Sequence, residues 1–138
     1  MTSAVEVRAA FPIDDVELSR LHAKAFGDAE PTILPWAARL RRHSVSWVGA
    51  FDGERLVGFV HACGDGGAHA FVLDTAVDPD YQRRGVGGAL IEALRVELIA
   101  AGCEWLHVDF EPRFRAFYEA CGFSPTHAGL RRLTDSGT

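Results

Sequence analysis

The chain has few cysteines, no excess of positive charge and no long apolar run, and each shortage removes a class of protein. Its 138 residues carry 14 lysines and arginines against 19 aspartates and glutamates, a net charge of −5. Nucleic-acid and membrane-surface binders need a cationic face to meet phosphates, so we expect neither partner. No stretch approaches the roughly 20 apolar residues of a membrane span, and no basic-then-apolar leader pattern stands near the start. We therefore expect a cytoplasmic protein.

The three cysteines, Cys63, Cys103 and Cys121, are an odd number, lie far apart and sit in apolar neighbourhoods. A disulfide framework or a metal-ligand set would need closer and more regular spacing. We interpret them as buried reduced thiols and expect no metal ion. No histidine is paired with Cys103 or Cys121 to activate it, so we expect no covalent acyl-enzyme.

The composition is 48% hydrophobic, and neither a repeat nor a low-complexity tract divides the sequence, so residues 1–138 are predicted to form a single domain.

Asp52-Gly53 between two apolar runs is a strong hairpin signal. Both faces of the stretch from Trp105 to Phe110 are partly apolar, which predicts a strand well inside the sheet. The patterns predict, in chain order, a strand at 5–8, a helix from 14 or 15 to 27, a helix ending near 43, an antiparallel meander between 45 and 77, a helix ending at 102, a strand near 106–110, a helix across 114–121 and a last strand at 130–133.

Residues 78–94, DPDYQRRGVGGALIEAL, connect a buried strand to a long amphipathic helix. The first four N–H groups of a helix lack internal partners, and its dipole leaves a partial positive charge at that end. Glycines at 85, 87 and 88 remove the β-carbons that would keep a phosphate away, and Arg83 and Arg84 add charge. This pattern predicts an anion site.

Spacing separates the possible anions. A P-loop needs Lys-Ser or Lys-Thr after its last glycine, but Gly88 is followed by Ala89 and Leu90. A dinucleotide fingerprint needs a glycine at position 90 within a parallel βαβ unit, and this turn follows antiparallel strands. A glycine-rich turn without a ligand stays open as an alternative.

The segment Gln82-Arg83-Arg84-Gly85-Val86-Gly87 resembles the acetyl-coenzyme A motif of the GCN5-related N-acetyltransferases, Gln/Arg-x-x-Gly-x-Gly/Ala. The later segment 117–123, FYEACGF, is similar to a second segment of that family, an aromatic residue, tyrosine, three residues, glycine and phenylalanine. The resemblance implies an α/β (α+β) fold, with a mixed, largely antiparallel twisted sheet of about six to seven strands and about four helices. The central strands would splay apart to admit pantetheine.

The resemblance also implies an enzyme, an N-acetyltransferase in which a bound amine attacks acetyl-coenzyme A directly. A non-catalytic module that binds or senses acyl-coenzyme A is the alternative. The backbone of Thr75, Ala76 and Val77 would pair with pantetheine, and an N–H near Val77 would face the thioester oxygen. The residues expected to hold the pyrophosphate are Arg83, Arg84, Gly85, Val86, Gly87 and Gly88.

By the same resemblance, Tyr118 is the general acid that protonates the coenzyme thiolate. Its place in an apolar helix stripe with Phe114, Phe117 and Cys121 also allows a packing role. For the general base, relatives use an acidic residue on the strand before the last helix. Here His107 and Asp109 occupy that strand two residues apart, and Asp74 is a third candidate.

One position departs from the family pattern. Relatives carry an asparagine seven residues before the tyrosine, and this chain has Glu111, which puts that coenzyme contact in doubt. The acceptor is expected to be a small-molecule or peptide amine, bound near the first two helices, where Phe26, Asp28, Glu30 and Trp36 could suit a cation. Relatives often dimerise, so a homodimer is possible.

Overall fold

The computed structural model describes residues 4–135, and within them the chain forms five strands and four α-helices. Two single 3₁₀ turns, at Pro79–Tyr81 and Pro112–Phe114, each precede a helix. In chain order the elements are β1 (Val5–Ala9), α1 (Asp15–Ala25), α2 (Trp36–His43), β2 (Ser44–Asp52), β3 (Arg55–Gly64), β4 (His69–Val77), α3 (Val86–Ala100), β5 (Trp105–His107) and α4 (Arg115–Ala120).

The described residues divide into two compact units, one ending at Val108 and the other beginning at Asp109. The first unit holds the whole sheet with α1, α2 and α3, and the second holds α4. A single domain over residues 1–138 stays a prediction. In residues 4–135 no helix has the length and apolar character needed to cross a bilayer.

The sheet follows chain order, β1-β2-β3-β4-β5, with antiparallel pairs except for the parallel pair of β4 and β5. The predicted meander and the mixed, largely antiparallel fold are confirmed. Gly53 makes the β2–β3 turn with φ +62°, in the left-handed region where glycine is least strained.

Two details of the predicted sheet are wrong. The described residues contain five strands rather than six or seven, because residues 130–133 form no strand, with Leu130 91% exposed. The strand near 106–110 is only Trp105–His107, and it forms the edge of the sheet rather than its interior, with Trp105 65% exposed.

Apolar side chains cover both faces of the sheet in the first unit. A Cβ added at Gly58 would lie 3.0 Å from Leu90 and 3.1 Å from Val86, so Gly58 faces α3. The next residue, Phe59, points to the opposite face, where it joins the cluster formed by α1 and α2. That cluster contains Phe11, Leu18, Leu21, Trp36, Leu40, Phe51, Leu56 and Phe59.

Side-chain hydrogen bonds mark the start of α1 and tie the start of α2 to it. The Asp14 side chain accepts a hydrogen bond from the N–H of Glu17 at 3.0 Å, as an N-cap does. The Asp15 carboxylate accepts from the N–H of Ala37 at 2.8 Å, and the Ser19 hydroxyl accepts from the N–H of Leu34 at 2.9 Å. These two bonds hold the α1–α2 loop and the start of α2 against α1.

The second unit is organised around Tyr118, which is 8% exposed. Its ring stacks on Phe110 with centroids 5.0 Å apart and meets Phe117 and Phe123 edge-on. Of the predicted apolar stripe, Phe114 lies in the preceding 3₁₀ turn and is exposed. Gly122, with φ +96°, follows the end of α4.

Among the described residues no disulfide joins the three cysteines, and each side chain is partly exposed rather than buried. The prediction of fully buried thiols is therefore wrong in degree.

Candidate active site

The connection from β4 to α3 is anchored by Asp78. Its N–H donates to the carbonyl of Val57 at 2.8 Å, and its buried carboxylate accepts from the N–H of Asp80, from Lys24 Nζ at 3.1 Å and from Arg55 at 3.2 Å. Burial raises the pKa of Asp78, but these donors outweigh it and lower the pKa overall. The carboxylate therefore fixes the loop to α1 and to β3.

The start of α3 is open and positively polarised. Gly85 precedes the helix with φ +79° and offers no side-chain cap, and the first helical bond runs from the N–H of Ala89 to its carbonyl at 3.1 Å. The preceding amides of the first turn have no partner within the helix. A Cβ added at Gly88 would meet no atom within 4 Å, so the space over this turn is clear.

Two exposed arginines border that turn. Arg83 adopts φ +63°, and Arg84 lies over the ring of Tyr81 at 5.1 Å. The Tyr81 hydroxyl donates to Asp52 on β2, which holds the ring in place and raises the pKa of the phenol. Backbone amides, a helix dipole and two guanidinium groups suit a diphosphate, so the residues present fit the pyrophosphate of a coenzyme.

The pairing of β4 with β5 ends before this turn. Its register runs from His69 to Phe71, where β5 reaches His107 and ends. Thr75, Ala76 and Val77, the residues expected to pair with pantetheine, lie further along β4. The expected splay of central strands stays a prediction, because the pairing ends where the edge strand β5 ends.

A bulge interrupts the later part of β4. Leu73 pairs with His61 and Ala76 pairs with Phe59, so Asp74 and Thr75 together oppose the single residue between. Asp74 has φ +56°, the left-handed region that aspartate tolerates better than most residues. The bulge turns the Asp74 side chain toward α1 and β3.

Asp74 binds two histidines there. Its Oδ1 lies 3.0 Å from His22 Nε2, and its Oδ2 lies 2.7 Å from His61 Nε2 and 3.6 Å from an Arg39 guanidinium nitrogen. Ser44 Oγ lies 2.8 Å from the other nitrogen of His61, Nδ1. Burial raises the pKa of Asp74, but the hydrogen bonds from the two histidines outweigh it and hold the pKa well below its ordinary value. Asp74 is thus a stable anion.

The predicted base His107 lies elsewhere in the sheet. It pairs with Phe71, six residues before Val77 on β4, and its Nε2 lies 2.7 Å from His69 Nδ1. Strand alternation was the reason for placing His107 and Asp109 on one face, and it does not apply because β5 ends at His107. Asp109 and Tyr118 belong to the second unit. The catalytic roles of all three residues stay predictions.

Sequence reasoning missed His22 and His61 as site residues. His22 stood on the apolar face of the predicted first helix, and His61 follows an apolar strand run. A histidine on a buried apolar face needs a hydrogen-bond partner. The polar residue in each apolar pattern was therefore the signal that could have identified these two histidines. Trp36, expected near the acceptor, is 1% exposed and belongs to the core, although His22 and Arg39 both pack on its ring.

Comparison with known proteins gives a consistent result. Residues 15–123 match the sequence model of a family described as the acetyltransferase (GNAT) family. The [ribosomal protein bS18]-alanine N-acetyltransferase of Escherichia coli K12 is 37% identical over 123 residues, covering 75% of this chain and 81% of the relative. The chloroplastic GCN5-related N-acetyltransferase 1 of Arabidopsis thaliana is 35% identical over 87 residues, covering 63% of this chain and 44% of the relative.

The fold is also found among solved structures. The aminoglycoside N-acetyltransferase AAC(6')-Iy, solved in complex with coenzyme A, superposes with a TM-score of 0.78 at 19% identity and covers 98% of this chain and 97% of its own. Identity at that level shows the fold alone. The chain spans about half the length of the first curated relatives it matches, 44% and 51%.

Proposed function

The chain belongs to the GNAT acetyltransferase family, and we propose that it is an enzyme that transfers an acetyl group from acetyl-coenzyme A to an amine by direct attack. The observation that carries this proposal is the start of α3. There, the amides of the first turn, an open glycine turn and two arginines follow β4, whose pairing with β5 ends at Phe71.

Acetyl-coenzyme A would supply an acetyl group activated as a thioester. The amides of residues 85–88, with Arg83 and Arg84, would hold its pyrophosphate. The backbone of Thr75, Ala76 and Val77 would bind its pantetheine arm as a neighbouring strand, and the N–H near Val77 would stabilise negative charge on the thioester oxygen. These assignments are supported by the end of β4–β5 pairing at Phe71 and by the family pattern.

The acid that protonates the departing thiolate is proposed to be Tyr118. The support is the tyrosine, glycine and phenylalanine pattern of residues 117–123. Within its own unit the ring packs against three phenylalanines, which is compatible with packing alone, so a variant must decide between the two roles.

We propose a small-molecule or peptide amine as the acceptor. The α1–α2 loop exposes apolar Phe26, Ile33 and Leu34 together with acidic Asp28 and Glu30, which suits an amine on a partly apolar carrier. One relative is named as a ribosomal-protein alanine N-acetyltransferase, and one fold neighbour is named as an aminoglycoside N-acetyltransferase. We therefore test both a peptide and a small-molecule acceptor. A cytoplasmic location and a homodimer remain proposals from the sequence.

Calorimetric titration with acetyl-coenzyme A, followed by a thiol-release assay, tests this function. The amine panel contains 2-phenylethylamine, spermidine, kanamycin and a peptide that begins with alanine. Binding with turnover of at least one amine is the expected result. Binding without turnover of any amine favours the non-catalytic alternative, and absence of binding contradicts both functions.

A further inference from the structure

The charge on Asp74 fixes the direction of its two hydrogen bonds. A carboxylate can only accept, so Nε2 of His22 and Nε2 of His61 must each carry the hydrogen. A neutral histidine has one N–H, and its other nitrogen is then an acceptor. In the neutral form, each ring is therefore held in the same tautomer, with the hydrogen on Nε2 and a lone pair on Nδ1.

The two histidines differ in what meets Nδ1. In His61, whose side chain is 5% exposed, Nδ1 accepts from the Ser44 hydroxyl at 2.8 Å, so both of its nitrogens are satisfied. His22 is 25% exposed, and within residues 4–135 its Nδ1 has no hydrogen-bond partner. Both nitrogens of His61 are thus hydrogen-bonded, whereas His22 keeps an available lone pair on Nδ1.

The position of His22 suits the reaction. Asp74 lies on β4 directly before Thr75 and Ala76. The centroid of the His22 ring lies 4.5 Å from that of Phe26 and 5.3 Å from that of Trp36. Phe26 is exposed and stands at the start of the α1–α2 loop. The His22 ring therefore lies between Phe26, at the loop proposed to receive the amine, and Asp74, beside the residues proposed to bind the acyl donor.

We propose that His22 is the general base of acetyl transfer, with Asp74 as the residue that positions it. This inference rests on the proposed function. The acceptor arrives as an ammonium ion, R–NH₃⁺, and one of its protons moves to His22 Nδ1. The amine becomes neutral and regains the lone pair needed for attack, and His22 becomes an imidazolium that donates Nε2–H to the Asp74 carboxylate. The exposed edge of His22 then returns the proton to solvent.

Ionisable groups on three other elements surround this base. Asp74 on β4 stabilises the imidazolium directly, while His61 on β3 and Arg39 on α2 contact the far oxygen of the same carboxylate. Because Asp74 is held as a stable anion with a low pKa, it is a poor base itself, which separates its role from that of His22.

The deciding variant is His22→Gln. The glutamine amide can still donate a hydrogen bond to Asp74, but it cannot accept a proton at neutral pH. With the panel amine that the wild type turns over fastest, we expect kcat/KM to fall by roughly 100-fold or more, the usual contribution of a general base. Affinity for acetyl-coenzyme A and the melting temperature should change little. The matched control is His43→Gln, an exposed histidine at the end of α2, which should keep wild-type turnover.

The pH profile distinguishes a base from a residue that merely packs. In the variant, the acidic limb of kcat/KM should follow only the ionisation of the acceptor amine. The assignment of His22 is overturned if the wild type turns over an amine and the His22→Gln variant has a kcat/KM within threefold of it, with the same pH profile. The acetyltransferase function would stand in that case. A wild type that fails to bind acetyl-coenzyme A overturns the function itself, and this assignment with it.

A second measurement needs no turnover. Long-range ¹H–¹⁵N spectra of the ¹⁵N-labelled protein, with the His22 signals assigned from the His22→Gln spectrum, should show hydrogen on Nε2 and none on Nδ1. Hydrogen on Nδ1 of neutral His22 would overturn the proposal even if the variant loses activity.

Discussion

Replacing Gly88 with aspartate should strengthen the fold and weaken coenzyme binding at once. Gly88 lies in the first turn of α3, and an added Cβ there would meet no atom within 4 Å. The aspartate side chain is therefore accommodated without strain. Its negative charge interacts favourably with the positive end of the helix dipole, but it repels a diphosphate bound over the same turn.

Both effects have estimable sizes. An aspartate in the first helical turn contributes about 0.3–1 kcal/mol, and loss of a helical glycine adds a few tenths more. A gain of about 1 kcal/mol raises the melting temperature of a domain this size by roughly 3 °C. Two phosphate charges near the carboxylate each cost about 1 kcal/mol at water-like screening, so the Kd of acetyl-coenzyme A should rise roughly 30-fold.

The assay is calorimetric titration with acetyl-coenzyme A, alongside thermal unfolding without ligand. Gly88→Asn is the control, because it has nearly the same shape without the charge. The difference in Kd between the two variants should shrink as salt is raised, since exposed charges are screened. Equal affinity of the aspartate and asparagine variants at low salt would refute the placement of the pyrophosphate at this helix.

Three further variants test the remaining contacts. Tyr118→Phe should lower kcat by roughly 100-fold or more while acetyl-coenzyme A affinity holds, and unchanged kcat would remove Tyr118 from the mechanism. The folded-state pKa of Asp74 lies below its ordinary 3.8, so its contribution is complete above about pH 4 and is lost as the pH falls toward the folded value. Urea unfolding between pH 3 and 6 should therefore show a steeper acid loss for wild type than for Asp74→Asn, and parallel curves would contradict this. Asp78→Ala should cost about 1–2 kcal/mol in urea unfolding, because it removes the acceptor of the Asp80 N–H and the charge-assisted hydrogen bonds from Lys24 and Arg55, which stay solvated. A loss under about 0.5 kcal/mol would show that the anchor matters little.

The start of α3 could be predicted from the sequence because its signals are local. Glycines, arginines and a four-residue apolar period all fall within 78–94, and the helix begins at Val86 with Gly85 in the left-handed region. The β2–β3 turn was predictable for the same reason, since Asp52-Gly53 specifies it without reference to distant residues.

The strand after α3 was overestimated because apolar residues there serve two different purposes. Leu106 belongs to β5, but Phe110 stacks on Tyr118 in the second unit. An alternating pattern cannot distinguish a residue that faces the sheet from one that packs on a later helix. The exposed Leu130 and Leu133 misled in the same way, because apolar character alone was taken as a sign of pairing.

The His22–Asp74–His61 cluster was beyond local reasoning. Its members lie on α1, β4 and β3, and 52 positions separate His22 from Asp74. The extra residue in β4 is equally hidden, because a bulge is defined by the register between two strands rather than by the sequence of one. The sequence showed that His22 lies on an apolar helix face, but it did not show that Asp74 is its partner.

The bulge itself supports a functional reading of Asp74. Before it, Ala70 and Val72 are buried, and strict alternation would place Asp74 beside them on the same face. After it, Ala76 pairs with Phe59, on the face that carries α1 and α2, so the extra residue has switched the faces. The left-handed backbone of Asp74 costs roughly 1 kcal/mol, whereas an unpaired carboxylate in an apolar layer would cost several. An apolar residue in regular pairing would avoid both costs, so the presence of the aspartate together with the bulge favours a role for the His22–Asp74 pair that they create.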